Sequence, residues 1–533
     1  MLEKPTGNIK QMNRDRNSKY FKKGWGNKIM LKRAVFTITL IILITITLGA
    51  DNVSAMEYSG EGFSFSLPEI YRVTDMNNSD ITLSIASPQA IVQVYSQELK
   101  SGVSAATYIE YSNMQLYKGK AGFSMLTNTT SSVNGYKTRE IGYSRPQIAN
   151  IEDKNYYFEA HLIDSKKNVV ITFWGKTTQD NYGILKKDIQ AAVKSFRWDN
   201  NQSATTIKAT LEVTQEVAAP IIYTGNKTRI EIPPGKLVWG RFYPGASEQD
   251  PLSRKMVETE NQLNHKFEMR MTYCTFPGEA VFPEDVIKKV YADGRMLMLT
   301  LQPFTKELDW IAIPEIIAGK HDRKIQEWAE SLKKIGEPIF VRPLNEMNGD
   351  WDPWCSWYYG KDNELYILAW RHIVNIFRDS GADNVLFVWN PHDRSYPDFK
   401  WNNPHLYYPG DAYVDWIGLT GYNNGTSHPG DVWREFDDIY RPLYADYLKH
   451  YADKPFMITE FSCNEEGGDK AAWIEKAMQS LGVNYPHIKI AVWFDGQDNK
   501  WLYQLDSSPE AFAAFRQGLE NGKYLNDAVT MLS

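Results

Sequence analysis

Between Leu237 and Gly496 the chain carries eight short apolar, β-branched runs: LVWGRFY, FEMRMTYCTF, RMLMLTLQP, PIFVRPLNE, NVLFVWNP, VDWIGLTGYN, PFMITEFS and KIAVWFDG. Each has the length and composition of a strand, and longer amphipathic stretches separate them. HDRKIQEWAESLKKIG, NELYILAWRHIVNIFRDSG and GDKAAWIEKAMQSLG have helical periodicity and close on the glycine that helix ends favour. Eight such repeats in about 300 residues predict an α/β architecture, a (β/α)8 barrel, whose usual size is about 250 residues with insertions. An open doubly wound sheet is the alternative, but no glycine-rich phosphate turn follows the first run.

At 533 residues the chain exceeds what one hydrophobic core serves, so further domains are expected. Residues 56–199 read as a smaller α+β domain. Runs such as AIVQVYSQ, YYFEAHLID and NVVITFWG are strand-like, and helical patterns fall near Ala105 to Lys118 and Tyr182 to Phe196. In the second helix Ile184, Ile189, Val193 and Phe196 are expected to share a face. The arrangement loosely resembles PsbP-like or Mog1-like sandwiches, and an accessory or interaction module is the expected role. Residues 200–234, rich in Thr, Asn, Ser and Pro, read as a linker ending near Pro233-Pro234, which leaves 235–533 for the barrel.

Residues 1–55 are of another kind. A basic stretch precedes Ala34 to Ala50, an uncharged apolar run shorter than the roughly twenty residues of a membrane span. Val53, Ser54 and Ala55 then offer a small-residue cleavage pattern. A signal peptide, with Met30 as a possible start, or an uncleaved membrane anchor would both place the rest outside the cytoplasm, secreted or at the cell surface. The three cysteines, Cys274, Cys355 and Cys463, suit neither a disulfide framework nor a zinc site, although one Cys355–Cys463 bridge is conceivable. A net charge of −6 argues against nucleic acid as a partner, and a monomer is expected.

In a barrel of this kind chemistry sits where the C-terminal strand ends meet their loops. The fourth run ends at Asn345-Glu346 and the seventh at Glu460, nearly opposite around the ring. A carboxylate at such a mouth costs desolvation energy unless it is paired or used. The bland reading pairs each with a neighbouring base, Glu346 with Arg342 for example. Fourteen of the seventeen tryptophans lie from Trp239 onward, and Trp351, Trp354 and Trp357 follow Glu346 directly. Aromatic faces with polar neighbours are what pyranose rings stack on. Trp351, Trp354 and Trp493 are expected to wall subsites, whereas Trp328, Trp370 and Trp473 fall in helical patterns and should pack. His392, Asp393 and His405 lack a third ligand at metal-type spacing and read as a polar loop.

RPLNEMNGDW around Glu346, GLTGYN around Tyr422, ITEF around Glu460 and AVWF around Trp493 together resemble glycoside hydrolase family 26, a clan A family of retaining β-glycanases, mostly β-mannanases. The resemblance covers about residues 235 to 525. It implies Glu346 as acid/base and Glu460 as nucleophile of a double displacement. It further implies Tyr422 as hydrogen-bond donor to the nucleophile, Trp493 as a subsite floor, Trp351 as a loop aromatic, and no metal or organic cofactor. The partner it implies is a plant or microbial polysaccharide, β-1,4-mannan first. Asn345 departs from the histidine many members carry before the acid/base. In the wider clan an asparagine there commonly binds the sugar's 2-hydroxyl, axial in mannose and equatorial in glucose and xylose. A β-1,3-1,4-glucanase or xylanase is therefore an alternative, and an inactive cell-surface glycan-binding protein is another.

Overall fold

The computed structural model describes residues 54–522, apart from 61, 75–80, 119–121, 200–228, 231, 233–234, 245–251, 276–281, 304–310 and 499, together with a short strand at Met531–Leu532. The apolar run Ala34 to Ala50 and nearly all of the linker lie outside the described residues. No helix among the described residues is long and apolar enough to cross a membrane.

The eight runs close into a parallel barrel in chain order: β1 (Val238–Phe242), β2 (Met269–Thr275), β3 (Met296–Gln302), β4 (Ile339–Pro343), β5 (Val385–Trp389), β6 (Trp416–Asn423), β7 (Phe456–Cys463) and β8 (Ile488–Phe494). β8 pairs with β1 to close the ring. Met298, Phe340, Trp416, Met457, Ile490 and Val492 fill its interior as one apolar cluster. Residues of opposite parity, such as Trp239, Val341, Ala491 and Trp493, face the surrounding helices in a second core. Trp328, Trp370 and Trp473 are buried in that second core, as their helical patterns predict. β7 carries one extra residue against both neighbours, the register shifting at Thr459 and Glu460. Thr459 reaches the inward-facing Thr420 hydroxyl at 2.9 Å, and Glu460 reaches the inward-facing Tyr422. This bulge turns two consecutive side chains toward the barrel axis.

The N-terminal part forms a seven-stranded antiparallel sheet. Its strand Val169–Thr177 is buried at all nine positions because both faces are covered. The helix Tyr182–Ser195 packs on one face through Leu185, Ile189 and Val193. Ile184 is 58% exposed rather than part of that face, since Leu185, four residues before Ile189, holds the inward position. The hairpin Ser124–Val133 and Tyr136–Ser144 was not legible from hydrophobic alternation, because its first strand is nearly all exposed Ser, Thr and Asn. The usable signal was Asn134-Gly135, whose positive φ values of 51° and 82° make a tight hairpin turn.

The second sheet face joins the outer core of the barrel through Tyr95, Tyr143, Tyr157 and Trp174. It meets the loop that follows β4. Tyr143 donates to Gly360 O at 2.8 Å, and Tyr157 donates to Asp362 Oδ2 at 2.8 Å. Lys361 Nζ bonds Glu159 at 3.1 Å and also contacts Asn113, while Lys176 reaches Asp362 Oδ1 at 2.7 Å. From the helix Ala105–Ser112, Tyr111 stacks on Trp357 at 5.1 Å and donates to Asp350 at 2.7 Å. All three cysteines are free. Cys355 lies over Glu346 O and Cys463 beside Asn423, so no bridge braces the two strand ends.

Candidate active site

A polar layer lies above the apolar interior, and Arg342 organises it. Its guanidinium is fully buried inside the barrel. Nε donates to Thr300 Oγ1 at 3.0 Å, Nη1 to Asn390 Oδ1 at 2.8 Å, and Nη2 forms an ion pair with Glu460. Asn390 also accepts from Thr420 at 3.1 Å. Arg342 therefore pairs with the glutamate across the ring rather than with its neighbour Glu346. The other oxygen of Glu460 accepts from the Tyr422 hydroxyl at 2.6 Å. Tyr273, at the end of β2, also faces Glu460; burial first, then that charge, holds its hydroxyl well above the tyrosine range. A cation and a phenol donor thus hold the two oxygens of Glu460 in place. We expect Arg342→Met to destabilise the fold by about 3–5 kcal/mol, because Glu460 would be left buried without its counter-charge. Chemical denaturation measures this; an unchanged midpoint would contradict the pairing.

Glu346 is placed by backbone as much as by side chain. Leu344 and Glu346 both adopt left-handed conformations, with φ of 51° and 54°. Each such non-glycine residue costs about 1 kcal/mol or more, a cost functional sites tend to carry. Leu344 N–H bonds Leu301 O at the end of β3, and Glu346 N–H bonds Asn390 O at the end of β5, so both neighbouring strands fix the turn. Burial, with the nearby charge of Glu460 adding to it, pushes the Glu346 carboxyl up to about 7; His392, Arg342 and a bond from Trp351 act in the opposite sense. The site thus holds one carboxylate wrapped in donors and one carboxyl poised near neutrality. Environments that separate two acids in this way mark an acid and a base.

Of the expected aromatic walls, Trp351 fits. It is 40% exposed, stands beside Glu346, and packs on His392 and Tyr396 at 5.2 and 5.4 Å. Gly349 makes room for it, since a Cβ there would lie 2.6 Å from the indole. Trp354 does not fit. It is fully buried and donates to Asn345 O at 2.6 Å, pinning the strand end from behind. Trp493 does not fit either: β8 alternates, Val492 faces in, and Trp493 faces out against Phe461, Trp473 and Phe515. The inward aromatic at that strand end is its neighbour Phe494, which meets Tyr422 edge-on at 5.9 Å.

Asn345 is buried, and its Oδ1 accepts from Gln302 at 3.2 Å. Sequence reasoning passed over Tyr273, Tyr396 and Asp352. Asp352 is a third, buried carboxyl whose proton burial and the two glutamates hold well above the usual range. Its position in the loop after Glu346 was the available signal.

Residues 315–500, which span β4 to β8 and both glutamates, match the model of glycosyl hydrolase family 26. Endoglucanase H of Acetivibrio thermocellus is 39% identical over 237 residues, 44% of this chain and 25% of that protein. A mannan endo-1,4-beta-mannosidase of Bacillus subtilis is 38% identical over 195 residues, 34% of this chain and 48% of that protein. One from Bacillus subtilis strain 168 is 29% identical over 215 residues, 39% and 52% of the respective chains. The chain thus spans between a quarter and about half of the length of these relatives. The motif blocks and five of the eight barrel strands fall inside the family match, and this part of the chain belongs to a catalytic domain of glycosyl hydrolase family 26.

Proposed function

We propose that the protein is a retaining endo-β-glycanase in which Glu460 attacks the anomeric carbon and Glu346 serves as acid, then base. The observation that carries this reading is the opposite treatment of the two carboxyls. Arg342, Tyr422 and Tyr273 surround Glu460, while Glu346 is pushed up to about 7. In the first step the Glu346 proton passes to the departing glycosidic oxygen as a Glu460 oxygen bonds to the sugar. Ester formation removes the charge of Glu460, which lowers the proton affinity of Glu346 and lets it take a proton from water in the second step. Trp351 offers a stacking face beside the proton donor. Proton NMR of the first-formed product tests the proposal: the β-anomer must appear before mutarotation, and an α-product would overturn it.

The pH dependence follows from the same acid. Glu346 must enter the reaction protonated, and its affinity for the proton is raised. We therefore expect kcat/KM to fall as pH rises through about 7. A pH–rate profile flat to pH 9 would contradict that assignment.

β-1,4-Mannan is the first substrate to test, since two of the relatives above are mannan endo-1,4-beta-mannosidases. A β-glucan is the second reading, favoured by Asn345 in place of histidine and by the likeness to an endoglucanase. The bond from Gln302 occupies Asn345 Oδ1 and orients its amide nitrogen as the donor to a sugar hydroxyl. Reducing-end assays on mannan, lichenan and xylan separate these, and tight binding with no product on any of them would favour a binding protein. Export, suggested by the N-terminal sequence, belongs to the same proposal.

A further inference from the structure

Behind β5, on the helix-facing side of the barrel, three side chains that the catalytic machinery does not use converge. His405 lies in the turn Pro404–Tyr407 of the excursion after β5. Asp446 and His450 lie one turn apart on the helix Phe436–Tyr451. One ligand atom from each lies within 4.8 Å of the others. His405 Nε2 is 2.8 Å from Asp446 Oδ2, and His450 Nε2 is 3.7 Å from Asp446 Oδ1.

A simple ion pair would account for His405 and Asp446 alone. His450 brings a second imidazole to the same carboxylate, its ring centroid 4.2 Å from that of His405. Two imidazoles so close would repel each other if both were protonated, whereas both can be neutral when they share a cation. His405 is also oriented as metal-binding histidines are. The ring is buried, and its Nδ1 is held by the Tyr451 hydroxyl at 2.8 Å, so Nε2 points to the cluster. Zinc bonds of about 2.0–2.2 Å to N and O place tetrahedral ligands about 3.3 Å apart. The two carboxylate–imidazole separations bracket that figure and all three ligand atoms lie within 4.8 Å of one another, within reach of side-chain adjustment.

We propose that His405, Asp446 and His450 form a site for a divalent transition metal, zinc or a similar borderline cation. Two neutral imidazoles and one carboxylate suit that class better than calcium or magnesium, which take oxygen ligands. Asp446 is about half exposed on its side chain, which leaves water access to a fourth position. In the bound state His405 would be the neutral tautomer that offers its Nε2 lone pair to the cation and donates Nδ1–H to Tyr451. The ion would fasten the excursion that carries His392 and Tyr396, the residues packed on Trp351, to the helix behind it.

The test is calorimetric titration of the full, untagged, chelator-treated protein with zinc chloride, paralleled by cobalt chloride read by visible absorption. One saturable equivalent and the absorption bands of four-coordinate cobalt are expected. Tyr451→Phe should weaken binding roughly 10–100-fold, as loss of an outer partner does. Asp446→Ala, at an exposed position that leaves the fold intact, should weaken it more, with metal-free hydrolytic activity unchanged. Absence of a saturable equivalent, or binding unchanged in both Asp446→Ala and the Asp446→Ala/His450→Ala double variant, would overturn the proposal.

Discussion

Replacing Glu460 by alanine is expected to lower turnover by a factor on the order of 10^5 or more, since the covalent intermediate can no longer form. Azide should restore part of the rate and give an inverted glycosyl azide, because the anion fills the space of the carboxylate and attacks from the same face. Glu346→Ala should behave differently. Substrates with good leaving groups would still glycosylate Glu460, the intermediate would accumulate, and azide would give a product of retained configuration. Glu460→Gln, which keeps an acceptor for Arg342, separates loss of chemistry from loss of fold. Full activity in either alanine variant, or the same azide stereochemistry in both, would refute the roles.

A barrel stripped of the N-terminal sheet should lose activity by about two orders of magnitude and tend to aggregate. The sheet anchors Gly360, Lys361 and Asp362, while its helix Ala105–Ser112 covers Trp357 through Tyr111 and seats Phe399 against Tyr108 at 4.7 Å. Without it those aromatic faces meet water, and the loop that carries Trp351 loses its far anchor. A displacement of about 1 Å in a catalytic loop can cost 10^2-fold in rate. The comparison is kcat for residues 200–533 against the full chain, with size-exclusion chromatography of both. A monomeric, fully active barrel would contradict the expectation. Lys361→Met probes the interface without truncation. Glu159, buried and hydrogen-bonded by Lys361, would lose its cation, at a cost of about 3–5 kcal/mol.

The barrel was readable in the sequence because strands covered on both sides are apolar over most of their length, which leaves eight legible runs. Glu346 and Glu460 were readable because strand ends are where such barrels work. The aromatic walls were only partly readable. Trp493 and Phe494 are adjacent, and which of them faces the cleft depends on strand parity, which the run AVWF does not declare. Trp354 sits in a loop whose path depends on the Asn345 carbonyl it bonds. The Arg342–Glu460 pair joins β4 to β7 and exists only once the ring has closed. The module interface was hidden for the same reason, since its partners stand some 200 residues apart in the chain.

The extra residue in β7 has a consequence at the level of the gene. A single-codon deletion at Thr459 would remove the extra residue and restore regular pairing while keeping Glu460 on the inward face. Glu460 already stands opposite Thr420 across the bulge, so its carboxylate would keep its height and the Thr459 hydroxyl that bonds Thr420 would be lost. The barrel would close as before, with its strands in the same order. A deletion at this one position therefore isolates what the extra inward hydroxyl contributes to the polar layer.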